Sequence, residues 1–293
     1  NMQTIRVADI TINIESGDRE FFDRRYKDYL CPKSDNPDMI LKTVISEEIE
    51  EPEGELILQT GASHIIKMGN GKFIRYVKSA KGYIPYKFTY TEDYSFVTIE
   101  ICRDAKLKTL NSTDIEYLFT GFMFANRLSV LGGTVLHSSA MAYKDCGIVF
   151  SADPGTGKST HVSLWKNKFG DDVTIINDDK PAIRITDNKA YIYGTPWSGK
   201  TELNINIKKP LKAIVFIERS SENTISKTDI ANSVLNLSRQ LPNPFYDEDI
   251  GIKTIRIINR LFEIGVPVYT LKCSISEDAV KAVYEEIIGG KFS

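Results

Sequence analysis

Two stretches of this chain frame a lysine with glycines, ADPGTGKST at 152–160 and GTPWSGKT at 194–201. A phosphate loop works because consecutive backbone N–H groups curl around an anion at the N-terminus of a helix, while a lysine reaches the terminal phosphates. It therefore needs a strand before it and a helix after it. The 194–201 stretch satisfies GxxxxGK[ST] at every position, whereas the first stretch has Ala152 where the first glycine stands in the pattern. Context reverses that ranking. The apolar run CGIVFS precedes the first stretch, and Val162, Trp165 and Phe169 recur behind it at helical spacing. The second is followed by ELNINIKKP, which alternates apolar and polar residues and ends in a proline, the mark of extended chain.

The first stretch is therefore the expected nucleotide loop. Asp153, Pro154, Gly155, Thr156, Gly157, Lys158, Ser159 and Thr160 are its expected binding residues. Lys158 is expected on the β and γ phosphates of ATP, and the Ser159 hydroxyl on Mg²⁺. Thr160 lies either on the helix surface or on the substrate side, and His161 is expected to face solvent. Downstream, VTIINDDKP ends an apolar run with Asp178 and Asp179. In α/β sheets ligands gather at the carboxyl ends of strands, so this pair can share a crevice with the loop. Two carboxylates there offer two separable jobs, holding Mg²⁺ and accepting a proton from an attacking hydroxyl. The plainer reading is a pair of turn formers.

The elements that must position these groups fall into two regimes. Up to about Arg103 the chain alternates short β-rich runs such as TIRVADITINI, ELILQT and KFIRYVKS with turn signals like GNGK. One helix interrupts them, DREFFDRRYKDYL. A second helix opens at NSTDIEYLF, with Thr113 and Glu116 spaced as a capping box and Gly132 as its stop. A domain boundary is placed just before this helix, giving a mostly antiparallel β domain over 2–108 and a second domain over 109–293. Beyond it, TVLHSSAMAYKDCGIVFSA reads as two strands turning near Lys144 and Asp145. Strands then alternate with helices, including two helical stretches near 227–240 and 247–262, as in a mixed α/β domain.

Composition limits the partners. With 37 basic and 39 acidic side chains the formal charge is −2, so no global basic surplus draws the chain to nucleic acid. No run approaches the ~20 apolar residues of a membrane span, and the opening NMQTIRVADI lacks the apolar core of a secretory signal, so a cytoplasmic location is expected. The four cysteines are scattered without CxxC spacing, which suggests reduced thiols rather than disulfides or a zinc site.

The order of parts from 134 to 205 resembles the catalytic domain of HPr kinase/phosphorylase and, more distantly, the phosphoenolpyruvate carboxykinases. The parts are His137, a hairpin, the loop ending GTGKS, a short helix, the strand end NDD and a later glycine-containing loop. The resemblance implies an α/β (α+β) fold, a mixed-sheet P-loop domain of that family behind the β domain. It implies Asp178 as the base toward a serine hydroxyl, Asp179 with Ser159 on the metal, and His137 near the transferred phosphate. It makes 194–201 a mobile loop meeting the acceptor: Gly194 and Gly199 as its pivots, Trp197 as a cover and Lys200 neutralising phosphate. By the same resemblance the chain forms a homo-oligomer. Two departures stand out: family members begin the loop with glycine and follow GKS with glutamate, where this chain has Ala152 and Thr160. Glu218 and Arg219, ending LKAIVFIE and its neighbour, are weaker candidates for orienting Mg²⁺ or phosphate.

The expectation is an ATP- and Mg²⁺-dependent kinase acting on a hydroxyl of a protein, peptide or small molecule, with the β domain recognising the acceptor. A nucleotide-sensing regulator, a carboxykinase-like enzyme and plain nucleotide hydrolysis remain open as rivals.

Overall fold

The computed structural model describes residues 2–242 and 247–293. It divides the chain into two compact units, one running to Val130 and one from Leu131.

In the first unit, eight strands form one sheet. They are β1 (Gln3–Val7), β2 (Ile10–Glu15), β3 (Met39–Ser46), β4 (Glu55–Thr60), β5 (Ser63–Lys67), β6 (Phe73–Val77), β7 (Tyr86–Tyr90) and β8 (Phe96–Cys102). Their order is β1-β2-β3-β8-β7-β6-β5-β4, antiparallel except for the parallel pairs β2/β3 and β3/β8. Helix α1 (Arg19–Tyr26) follows β2, and α2 (Ser112–Val130) closes the unit. The long helix thus falls on the near side of the division. Its Phe119 ring packs edge-on against Tyr86 and Phe88 of β7, with centroids 4.7 and 4.9 Å apart. Glu116 does not cap α2 as its spacing suggested. It is fully buried and accepts the Gly17 and Asp18 N–H groups at 2.8 and 3.1 Å, tying the entry of α1 to α2. The capping box is made two residues earlier. The Asn111 side chain accepts the Asp114 N–H, and the Asp114 carboxylate accepts the Asn111 N–H.

The second unit is a mixed α/β layer structure. After β9 (Gly133–Val135), β10 (Ser139–Tyr143) and β11 (Cys146–Ser151) come α3 (Lys158–Phe169), β12 (Val173–Asn177), β13 (Ala182–Thr186), β14 (Lys189–Tyr193) and β15 (Lys208–Arg219). Then follow β16 (Thr224–Lys227), α4 (Ile230–Arg239), α5 (Glu248–Glu263), β17 (Val268–Cys273) and α6 (Glu277–Val283). The helix expected from 227 starts at Ile230, because 224–227 is drawn into the sheet as an antiparallel partner of β17. Strands run β12-β10-β11-β15, with β17 on the far side of β15. β15 is parallel to both β11 and β17. The long β15 also pairs through its first residues with β14, which carries the β13–β14 hairpin and β9.

Alternation along these strands supplies two cores. Ile148 and Phe150 of β11 join Val162 and Trp165 of α3 and Val280 and Val283 of α6 on one face. Val149 joins Leu237 of α4 and Ile258 and Leu261 of α5 on the other. Burying each large apolar side chain contributes about 2 kcal/mol, which fixes the sheet edge that carries the polar groups described next. All four cysteines are free thiols. Among the described residues no helix is long and apolar enough to cross a membrane.

Candidate functional site

Strand directions bring the chemistry to one edge. β11, β15 and β17 are parallel and point their carboxyl ends the same way, Ser151 lying beside Phe216 and Arg219 beside Cys273 three residues further on. β10 runs against β11, and β12 against β10, which puts Ser139 and Asn177 at the same edge. Residues 152–157 leave β11 there and turn into α3. Gly155 and Gly157 take φ of +76° and +108°, left-handed values costly for any residue with a Cβ. A Cβ on Gly155 would meet no atom within 4 Å. That glycine therefore serves the turn and the open space in front of it, not contact with the protein itself. Gly157 caps α3 without any side-chain acceptor, so the first-turn N–H groups face that space with the positive end of the helix dipole.

Lys158 opens α3. Its ammonium is half-buried and donates to the Ala152 carbonyl at 3.2 Å. Burial pushes its pKa down, against the opposing pull of Asp179, Asp178 and Asp153. An anion beside it would relieve that desolvation. Ser159 donates its hydroxyl to Asp178 Oδ1 at 2.6 Å, and Ser139 of β10 donates to the same oxygen at 2.5 Å. Asp179 lies on other partners, Nε2 of His137 at 3.2 Å and the Lys180 ammonium. Burial raises its pKa, but the His137 hydrogen bond and the Lys180 charge outweigh that and hold it below the usual carboxylate range.

Asn177, fully buried, organises the turn. Its Oδ1 accepts the N–H groups of Asp179 and Lys180 at 3.0 and 2.8 Å, while its Nδ2 donates to the Thr195 carbonyl at 2.8 Å. Sequence reasoning passed over Asn177, Lys180 and Ser139. An Asn–Asp–Asp strand end is a turn signal that could have pointed to the first. Nothing in the spacing pointed to Ser139.

Four expectations change. His137 lies in the link between β9 and β10, not on a strand. His161 does not face solvent: it is 4% exposed, its ring packs on Phe150, and its Nε2 accepts the Trp165 indole N–H at 3.1 Å. The 194–201 stretch does approach the site, since a Cβ on Gly199 would lie 3.2 Å from that of Asp179. It is not built to pivot at Gly194, where a Cβ would sit 1.8 Å from the Ile205 carbonyl oxygen. Trp197 is 1% exposed, so it fills the interior and does not cover the site. The stretch itself ends in a three-residue 3₁₀ turn, Gly199–Thr201, with Lys200 exposed on it, and the next element is the strand β15. Among the weaker candidates, Arg219 donates to the Gly155 carbonyl at 2.5 Å and braces the loop. Glu218 is exposed, at a position of β15 paired with Lys272 of β17.

No family profile matches the chain, and no curated protein does. Among solved structures, the HPr(Ser) kinase/phosphatase from Coxiella burnetii aligns with 53% of this chain and 97% of its own at 8% identity, with a TM-score of 0.32. A likeness so distant identifies neither fold nor function.

Proposed function

We propose that the second unit binds ATP with Mg²⁺ and transfers the γ-phosphate to a hydroxyl of a protein, peptide or small-molecule acceptor. The observation that carries this reading is the contact between Ser159 and Asp178 beside Lys158 at the mouth of a glycine loop. A hydroxyl and a carboxylate held together at a helix N-terminus match what Mg²⁺ uses, one or two carboxylates with waters and substrate phosphates completing the shell. Among the described residues no three His, Cys, Asp or Glu side chains gather into a metal cage. The donor set suits a cation that arrives with its nucleotide. Ser159 and Asp178 would hold it, and when bound it draws charge from the phosphate oxygens.

This division of labour exchanges the roles expected of the two aspartates. Asp178 is committed to Ser159 and Ser139. Asp179, oriented by His137 and Lys180 and beside Gly199, is the carboxylate assigned to align the acceptor. As the acceptor oxygen bonds to the γ-phosphorus, the bond to the β-phosphate oxygen breaks and ADP leaves, while the hydroxyl proton passes to Asp179. A loose transition state asks little of the base, so a carboxylate of depressed pKa suffices. Lys158 offsets charge on the phosphates.

The test is incubation with γ-labelled ATP, Mg²⁺ and a cell extract separated into protein, peptide and small-molecule fractions. Label should enter one fraction with the native protein. Asp179→Asn should lower transfer by roughly a hundredfold with ATP still bound, and Asp178→Asn should raise the Mg²⁺ concentration needed. Normal transfer by Asp179→Asn would remove it as the base. ATP bound but neither transferred nor hydrolysed would leave a nucleotide-sensing regulator in place of a kinase.

A further inference from the structure

A cleft of about 280 Å³ opens beside the glycine loop on the side away from the aspartates. The strand order decides the sides: Asp178 and Asp179 follow β12, two strands from β11 in one direction, whereas this cleft lies over the ends of β15 and β17 in the other. Its walls include Leu164 of α3, Ile217 of β15, and Cys273 and Ile275 at the end of β17. Ile275 is 60% exposed, and its Cδ1 would lie 3.8 Å from a Cβ on Gly157, so an apolar rim stands directly against the loop.

His161 lines this cleft together with Arg219, Ser220 and Ser274, and supplies a ring donor to it. The Trp165 indole can only donate, so His161 Nε2 is the acceptor and the ring proton sits on Nδ1. That N–H, on a side chain 4% exposed, has no acceptor among the described residues. A donor on the wall of a mainly apolar cleft is open to water and to the polar edge of an entering ligand alike.

We infer that this cleft receives the nucleoside end of the bound triphosphate. A heteroaromatic base packs on Leu164, Ile217 and Ile275, with His161 Nδ1–H donating to a ring nitrogen or carbonyl of the base. The inference rests on the reading of 152–160 as a triphosphate loop. If the terminal phosphate lies by Asp178 and Asp179, a triphosphate crossing the loop leaves its α end on the β15–β17 side. The cleft is at the small end of ligand pockets, which suits a base with part of its sugar.

Calorimetric titration with ATP and with inorganic tripolyphosphate, each with Mg²⁺, separates the two claims. The native protein should bind ATP at least about tenfold more tightly than tripolyphosphate. Ile275→Ser, at an exposed position, and Leu164→Trp, which fills the cleft, should each erase most of that difference and leave tripolyphosphate affinity unchanged. With only three histidines in the chain, the His161 Nδ1–H resonance is assignable, and it should shift with ATP but not with tripolyphosphate. ATP affinity unaltered in both variants, or a His161 signal indifferent to ATP, overturns the nucleoside cleft while the loop reading stands. Failure of the native protein to bind either ligand overturns the loop reading, and the cleft falls with it.

Discussion

The two glycine–lysine stretches share a pattern and use their glycines for opposite reasons. At Gly155 the space a side chain would occupy is open, and the backbone turns at φ +76° around it. At Gly194 that space is filled by the Ile205 and Ile176 carbonyl oxygens, 1.8 and 3.0 Å from an added Cβ. One glycine faces open space, and the other makes room for the protein's own backbone. A pattern of letters cannot separate these cases, whereas the elements on either side of it can: β11 and α3 flank the first stretch, the strands β14 and β15 the second.

The largest effect expected from that contrast is on phosphate chemistry. Lys158→Ala should lower phosphoryl transfer or ATP hydrolysis by roughly a hundredfold or more, because a desolvated cation beside developing charge has no substitute. Lys200→Ala, at an exposed position, should change the same rate by less than about fivefold, the range of exposed charges. Steady-state rates of the two variants settle it. Comparable losses would mean that the 194–201 lysine also reaches the phosphates and that the two stretches divide one task.

Folding should show the reverse order. Gly194→Ala drives a methyl into backbone and should cost more than about 3 kcal/mol in denaturant unfolding. Gly155→Ala meets no atom and carries only the strain of positive φ, about 1 kcal/mol, yet its methyl enters the space in front of the loop and should weaken ATP binding. A stable Gly194→Ala protein, or a Gly155→Ala protein that binds ATP normally, would collapse the distinction.

What could be read from the residues alone follows the same line. The strand-to-helix setting of Lys158 was legible because CGIVFS and the Val162–Trp165–Phe169 spacing are local signals. The arrival of Asp178 at the loop was legible from the strand-end position of NDD. The β-rich first half and the alternating second half could also be told apart by period. The partition between Asp178 and Asp179 was not legible. It depends on Ser139 and His137, at the two ends of a turn leading into a strand antiparallel to β11, and adjacent residues on an irregular turn project differently. The place of α2 was hidden likewise, since a helix apolar around most of its girth does not reveal from its own sequence which sheet it covers. His161 was misjudged because a polar residue in a helix is ordinarily exposed, and its contacts with Trp165 four residues on and with Phe150 of β11 explain its burial.

That buried histidine, just behind the first stretch, gives the last expected effect. Burial alone lowers the His161 pKa from 6.5 to about 4. In the unfolded chain the imidazole takes a proton near pH 6.5, so below that pH the unfolded state binds more protons and stability falls as pH falls. The loss begins near pH 6.5 and levels off below about pH 4, where the folded state is protonated as well. Between pH 7 and pH 5 the contribution amounts to ~2 kcal/mol. Urea unfolding of the nucleotide- and metal-free protein at those two pH values should show it, and a His161→Gln protein should show a shallower dependence over the same window. Gln keeps an acceptor available to the Trp165 N–H but does not titrate. The carboxylates lose their protons mainly below this window, so they should affect native and variant proteins alike. Equal pH dependence in the two would mean that His161 already exchanges its proton in the folded state, and that α3 leaves solvent a path to the ring.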